Sequence, residues 1–193
     1  VSPKRQGRFE SQGVGADGGA AGGMEADGMA GEVERRLAGL GLDLPEAAAP
    51  LAAYVPCVVT GNLAFVSGQL PFEAGEPVTG RLSAADHVAE PPVEGEGRAL
   101  ARAKAAARLC ALNMLAHLKV ATGDLDRVAR VIKLTGFVNA DDTFRQHPKV
   151  IDGASELMAA AFGDAGRHAR AAVGSSGLPL GAIVEVEGVF EIG

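Results

Sequence analysis

Between positions 184 and 192 the chain alternates with a period of two: Val184, Val186, Phe190 and Ile192 occupy one parity, Glu185 and Glu187 the other. Such alternation predicts a strand with one buried and one polar face. It therefore demands a sheet whose covered side takes Val184, Val186 and Phe190, and whose other side presents two carboxylates. Upstream, residues 168–175 read as another strand, and the tight connection through Leu178 and Pro179 suggests one hairpin. That hairpin would carry Arg170, a planar and permanently charged fork suited to gripping a small carboxylate, together with Glu185, a candidate base. Two carboxylates on the uncovered side need water or cationic partners, and Arg170 is the natural partner.

The remaining elements can be read in chain order. Residues 1–28 are Gly- and Ala-rich with no apolar period, and are expected to be disordered; Met29 resembles a natural start, followed by a short helix and a single domain spanning 29–193. After a Pro- and Ala-rich joint at 45–50, strands are expected at 54–59 and 63–67, with Thr60, Gly61 and Asn62 forming the turn. Pro77, Pro91, Pro92 and several glycines make 73–97 a loop, apart from a short strand or helical turn near Val88, and its length suits a cover for a pocket mouth. Residues 98–121 form an alanine-rich helix with an apolar stripe through Leu109, Leu112 and Leu115, closed by Gly123. A strand at 128–138 and a helix at 148–162, with Pro148 in its first turn, complete the order ββαβαββ. That order gives an α+β fold, a sheet with both helices packed on one face.

Composition narrows the function classes. An apolar share of 47% supports a core, and no run approaches the roughly 20 apolar residues of a membrane span, so a cytoplasmic location is the expectation. The net charge of −6 and the scarcity of aromatic residues oppose nucleic-acid binding. Cys57 and Cys110 have no metal-ligand spacing and read as small core residues; His87, His117 and His147 are scattered likewise, so no metal site is expected.

Two stretches together carry a family resemblance. From Tyr54 through Thr60, Gly61 and Asn62 to Ser67, Gly68 and Gln69, and again from Arg170 through Leu178 and Pro179 to Glu185 and Glu187, the residues and their spacing resemble the YjgF/YER057c/UK114 or Rid family of reactive enamine/imine deaminases, over roughly residues 50 to 192. The resemblance implies a chorismate-mutase-like fold and a homotrimer with ligand sites in the clefts between subunits. It implies that Arg170 pairs with a substrate carboxylate and Glu185 positions or activates water, while Tyr54, Ser67 and Gly68 line the pocket. The implied reaction is hydrolysis of a 2-imino acid, tautomer of an enamine such as 2-aminoacrylate, to a 2-keto acid and ammonia. No cofactor is required, because the iminium carbon is already electrophilic.

The chain also departs from the family pattern. Ala172 stands where many members carry cysteine, Ser155 falls near a position often held by asparagine, and His168 can add charge to the site. Two other readings share the fold: a non-catalytic protein that binds a small carboxylate such as a keto acid, and a ribonuclease or translation inhibitor, against which the acidic charge weighs.

Overall fold

The computed structural model describes residues 31–48, 53–87 and 97–193. The expected disorder of 1–28, the start at Met29, the end of the joint at 49–50 and the turn near Val88 with its following prolines lie outside the described residues. The expected short helix is α1, Glu32–Gly39, which buries Val33 and Leu37 four residues apart on one side. Its first amides are satisfied from far along the chain: the Asp126 carboxylate accepts from Glu32 N at 2.6 Å and Val33 N at 2.9 Å. At the other end Gly41 takes φ +70°, its N–H bonding Ala38 O while Leu42 N bonds Leu37 O. This paired closure satisfies two orphan carbonyls and favours glycine at the left-handed position.

Five strands make the main sheet. β1 (Cys57–Thr60) and β2 (Leu63–Gln69) form a hairpin closed by Gly61 and Asn62, and β1 starts three residues later than expected, leaving Tyr54 and Val55 outside the strand. The segment expected to be loop contains a small hairpin, β3 (Phe72–Glu73) and β4 (Glu76–Pro77). Its turn residues Ala74 and Gly75 both have positive φ, 51° and 86°. Such turns favour Asn or Asp at the first position, so alanine there hid the hairpin. Beyond it, Thr79 bridges Ala182, Leu82 bridges Ala140, and Ser83 and Asp86 cap a helical turn at Ala84–Asp86, so this stretch is pinned to the domain.

Helices α2 (Arg98–Thr122) and α3 (His147–Phe162) flank β5 (Val128–Asn139) in sequence; β6 (Ala169–Ser175) and β7 (Val184–Ile192) follow. The strand order is β1-β2-β7-β5-β6, with β5 and β6 parallel and the other neighbours antiparallel. The expected hairpin between 168–175 and 183–192 is therefore corrected: β5 lies between the two. The reason is the helix that precedes β6. A strand–helix–strand crossover delivers β6 parallel to β5, at the outer edge. β7, whose Val184, Val186 and Phe190 are fully buried, takes the inner place with neighbours on both sides.

One face of the sheet lies under α2 and α3. Val131, Leu134, Val138, Val184, Val186 and Phe190 from the strands meet Cys110, Met114, Leu115, Ile151 and Met158 from the helices. The two helices touch closely at Gly153, where a methyl group would collide with the Lys104 carbonyl. Cys110 is buried with its Sγ directed at Val184 O, and Cys57 packs at the core margin, as expected of small core residues. Among the described residues no helix is long and apolar enough to cross a membrane.

Candidate functional site

Among the described residues no helix covers the opposite face of the sheet, where Val58, Phe65 and Val173 stay partly exposed. Alternation along β7 puts Glu185 and Glu187 there, opposite Phe137 and Thr135 of β5, as the sequence pattern predicts. A bulge in β2 sets Ser67 and Gly68 against the single residue Glu187, between the pairs Val66–Gly188 and Gln69–Val186. The Glu185 side chain lies over Gly68 so closely that a Cβ there would overlap its carboxylate. Glycine is required because only a bare backbone leaves this space. Ser67 is fixed to the segment before β1: its N–H donates to Pro56 O, and its hydroxyl donates to Val55 O at 2.9 Å. Tyr54, 45% exposed, is carried next to that anchor.

Ser67, Lys133, Thr135, Glu187, Val58 and Phe65 line a hollow of about 250 Å³ on this face. Partial burial raises the carboxyl pKa of Glu185, and the neighbouring Glu187 charge raises it further. The site thus holds a carboxylate with more affinity for a proton than a solvated glutamate has.

Arg170 belongs to a different place. It pairs with Leu134 of β5, which in turn pairs with Gly188 of β7, a row of the sheet that faces the helices. From the edge strand its Nη1 reaches α3, donating to Asp152 Oδ1 at 2.8 Å and Ser155 Oγ at 3.1 Å. Ser155 Oγ also lies 3.1 Å from His168 Nε2, and His168 Nδ1 lies 2.6 Å from Gly166 O. The Arg170 side chain remains a quarter exposed.

The structure therefore brings Ser67, Gly68 and Glu185 together, with Tyr54 at their margin, and separates all of them from Arg170 within one chain. Glu185 shares its row with Phe137 and Val173, three residues along β6 from Arg170 and on the other face. Strand geometry makes that offset about 10 Å along the sheet and about 10 Å across it. The expected pairing of Arg170 with the Glu185 and Glu187 carboxylates does not form within one chain, where its acidic partner is Asp152. Asp152 was missed in the sequence. Asp152 and Ser155 are three residues apart and so share a helix face, but which face meets β6 depends on the packing of α3. Elsewhere, His87 and His147 both pack against the Phe144 ring, with centroids at 5.4 and 5.0 Å. Among the described residues no group of three or more His, Cys, Asp or Glu is placed to hold a metal ion.

Comparison with known proteins agrees with this architecture. Residues 34–191 match the family described as "YjgF/chorismate_mutase-like, putative endoribonuclease". Protein TCP17 of Trypanosoma cruzi is 44% identical over 164 residues, covering 84% of this chain and 95% of that protein. Among solved structures, the protein Atu1372 of Agrobacterium tumefaciens, "with unknown function", is 45% identical with a TM-score of 0.70, covering 86% of this chain and 97% of that one. A "putative endoribonuclease" from Shewanella oneidensis is 34% identical with a TM-score of 0.73, covering 84% and 100%. With the family pattern matched along most of its length, and an α+β fold with helices on one face of a mixed sheet, the chain belongs to the YjgF/chorismate-mutase-like family.

Proposed function

We propose that this protein hydrolyses reactive 2-imino acids, tautomers of enamines such as 2-aminoacrylate, to 2-keto acids and ammonia, in clefts between the subunits of a homotrimer. One observation carries the reading: the carboxylate binder and the candidate base lie on opposite faces of one sheet, each at a surface that a second copy can complete. Around the Glu185 end, Val58, Phe65 and Val173 are 50%, 43% and 44% exposed, apolar area suited to burial against another subunit. In such an assembly, Arg170 of one subunit would face Glu185, Ser67, Gly68 and Tyr54 of its neighbour.

The chemistry follows from those groups. Arg170 binds the carboxylate of the imino acid and fixes the C=N carbon in the cleft. Glu185 takes a proton from water as the oxygen bonds to that carbon, giving a carbinolamine. Its raised proton affinity makes it a better base than a solvated glutamate. The proton then passes to the nitrogen, and as the C–N bond breaks the hydroxyl proton returns to Glu185, leaving ammonia and the keto group. Charge is balanced without redox change, so no cofactor is called on.

The test is ammonia and pyruvate release while a coupled lyase generates 2-aminoacrylate, compared among the wild type, Arg170→Ala and no protein. Wild type should accelerate release over the spontaneous rate, and Arg170→Ala should lose about 100-fold or more of that gain. A wild type that binds pyruvate but leaves the rate unchanged would make it a carboxylate-binding protein instead. The names of relatives favour RNA cleavage as a second reading. Net charge −6 and the carboxylates Glu185 and Glu187 on the face opposite α2 and α3 oppose a phosphate backbone. RNA binding that weakens steeply with salt would revive that reading.

A further inference from the structure

We infer that Asp152, Ser155 and His168 form a clamp that holds Arg170 by its Nη1 end and leaves the Nε–Nη2 edge to receive the substrate carboxylate side-on. The inference rests on Arg170 being the carboxylate binder and adds three positioning residues to it. The hydrogen atoms of the clamp can be placed from chemistry. Gly166 O only accepts, so His168 Nδ1 at 2.6 Å carries the proton. In the neutral ring Nε2 is then an acceptor, and the Ser155 hydroxyl, 3.1 Å away, donates to it. With its hydrogen committed, Ser155 Oγ accepts from Arg170 Nη1. Donation runs in one direction from Arg170 through Ser155 and His168 to the Gly166 carbonyl, and bonds in such a chain polarise one another.

The far end of this chain is fixed. Gly166 is buried, and a methyl group on it would strike the Met158 carbonyl in the last part of α3. Asp152 takes a second Nη1 hydrogen at 2.8 Å, so both hydrogens of that nitrogen are engaged. Neighbouring charges are occupied elsewhere: Glu156 pairs with Lys104 at 2.6 Å, and Arg167 pairs with Asp164 at 3.4 Å. Among the described residues Nε and Nη2 of Arg170 donate to no protein group. An arginine held at one nitrogen and free along one edge can take a planar carboxylate in a single bidentate orientation.

Three measurements test the clamp. In the wild type, long-range ¹⁵N–¹H spectra at a pH where the ring is neutral should show His168 as the Nδ1–H tautomer; the Nε2–H tautomer would overturn the scheme without any variant. Ser155→Ala and His168→Phe should each weaken pyruvate binding and lower kcat/KM for 2-aminoacrylate by about 10-fold. Ser155→Thr, which keeps the hydroxyl, should stay within about 2-fold of wild type. The double variant should be no worse than Ser155→Ala, because both residues act through one chain. Wild-type values in Ser155→Ala, or additive losses in the double variant, would overturn the proposal. Should the wild type lack deaminase activity, the catalytic reading falls, while the tautomer and the pyruvate affinities still decide the clamp.

Discussion

At the Arg170 end three side chains and a backbone carbonyl hold one guanidinium, whereas at the Glu185 end a carboxylate rests against bare backbone with a like charge for a neighbour. The first arrangement fixes a group whose charge never changes. The second leaves its group mobile in protonation and constrains it by shape alone. The difference matches the two tasks proposed: a carboxylate grip benefits from preorganised geometry, and a base benefits from an environment that makes its proton affinity adjustable. It also explains why a strand edge and a sheet face were used. The edge lets a long side chain reach an adjacent helix, while the face lets a short one be crowded by the backbone of the next strand.

The largest effect should come from separating the two ends genetically. Arg170→Ala and Glu185→Gln should each be nearly inactive alone. Trimers refolded from an equal mixture should regain about a quarter of wild-type activity, because a cleft receives both intact residues with that frequency. No recovery in a verified mixed trimer would place both residues in the service of one chain. Next in size, Gly68→Ala should displace the Glu185 carboxylate and lower kcat by about 10- to 100-fold while pyruvate binding, governed by Arg170, changes little. Equal losses in both would show that the two ends are not independent.

A smaller change distinguishes the site from its scaffold. Asp126→Ala removes the cap of α1 and should cost about 1 kcal/mol, read as a lower urea midpoint at constant slope, with kcat unaffected. The smallest concerns Glu185 and pH. Burial and Glu187 raise its carboxyl pKa in the folded protein, so its contribution to stability is present below the ordinary carboxylate range near about pH 4 and is lost as pH rises through the raised value. Glu185→Gln should therefore match wild type in acid and exceed its Tm by about 1–2 °C at pH 7. A Tm gap that closes as pH rises would reverse the sign of the shift.

Much of this was legible in the chain. The period-two pattern of β7 located its buried face and its carboxylates, and the helices begin and end within a residue or so of their sequence signals, with Gly123 closing α2 as expected. Gly68 and Glu185 meet across the antiparallel β2–β7 pair, a contact between strands far apart in the chain that the alternation of β7 alone does not supply. Arg170 is close to Glu185 in sequence but lies two strands away in the sheet, with β5 between them. The helix before β6 implies a parallel crossover beside β5; that rule alone does not say which strand β7 joins, and the structure sets β7 against β5. Asp152 and the α1 cap were beyond reach: the first depends on which face α3 turns toward β6, and the second joins elements 94 residues apart, set by how the turn before β5 settles under α1.

Helix α1 has one more consequence, for the order in which the protein is made. Eight residues do not hold a helix in water unaided. Its amides wait for Asp126, and Arg36 donates to Ala161 O near the end of α3. The first described element to leave the ribosome is therefore among the last to find its partners. A chain stalled before residue 126 would expose Val33 and Leu37 with nowhere to bury them, and docking of α1 reports that translation has passed the second long helix.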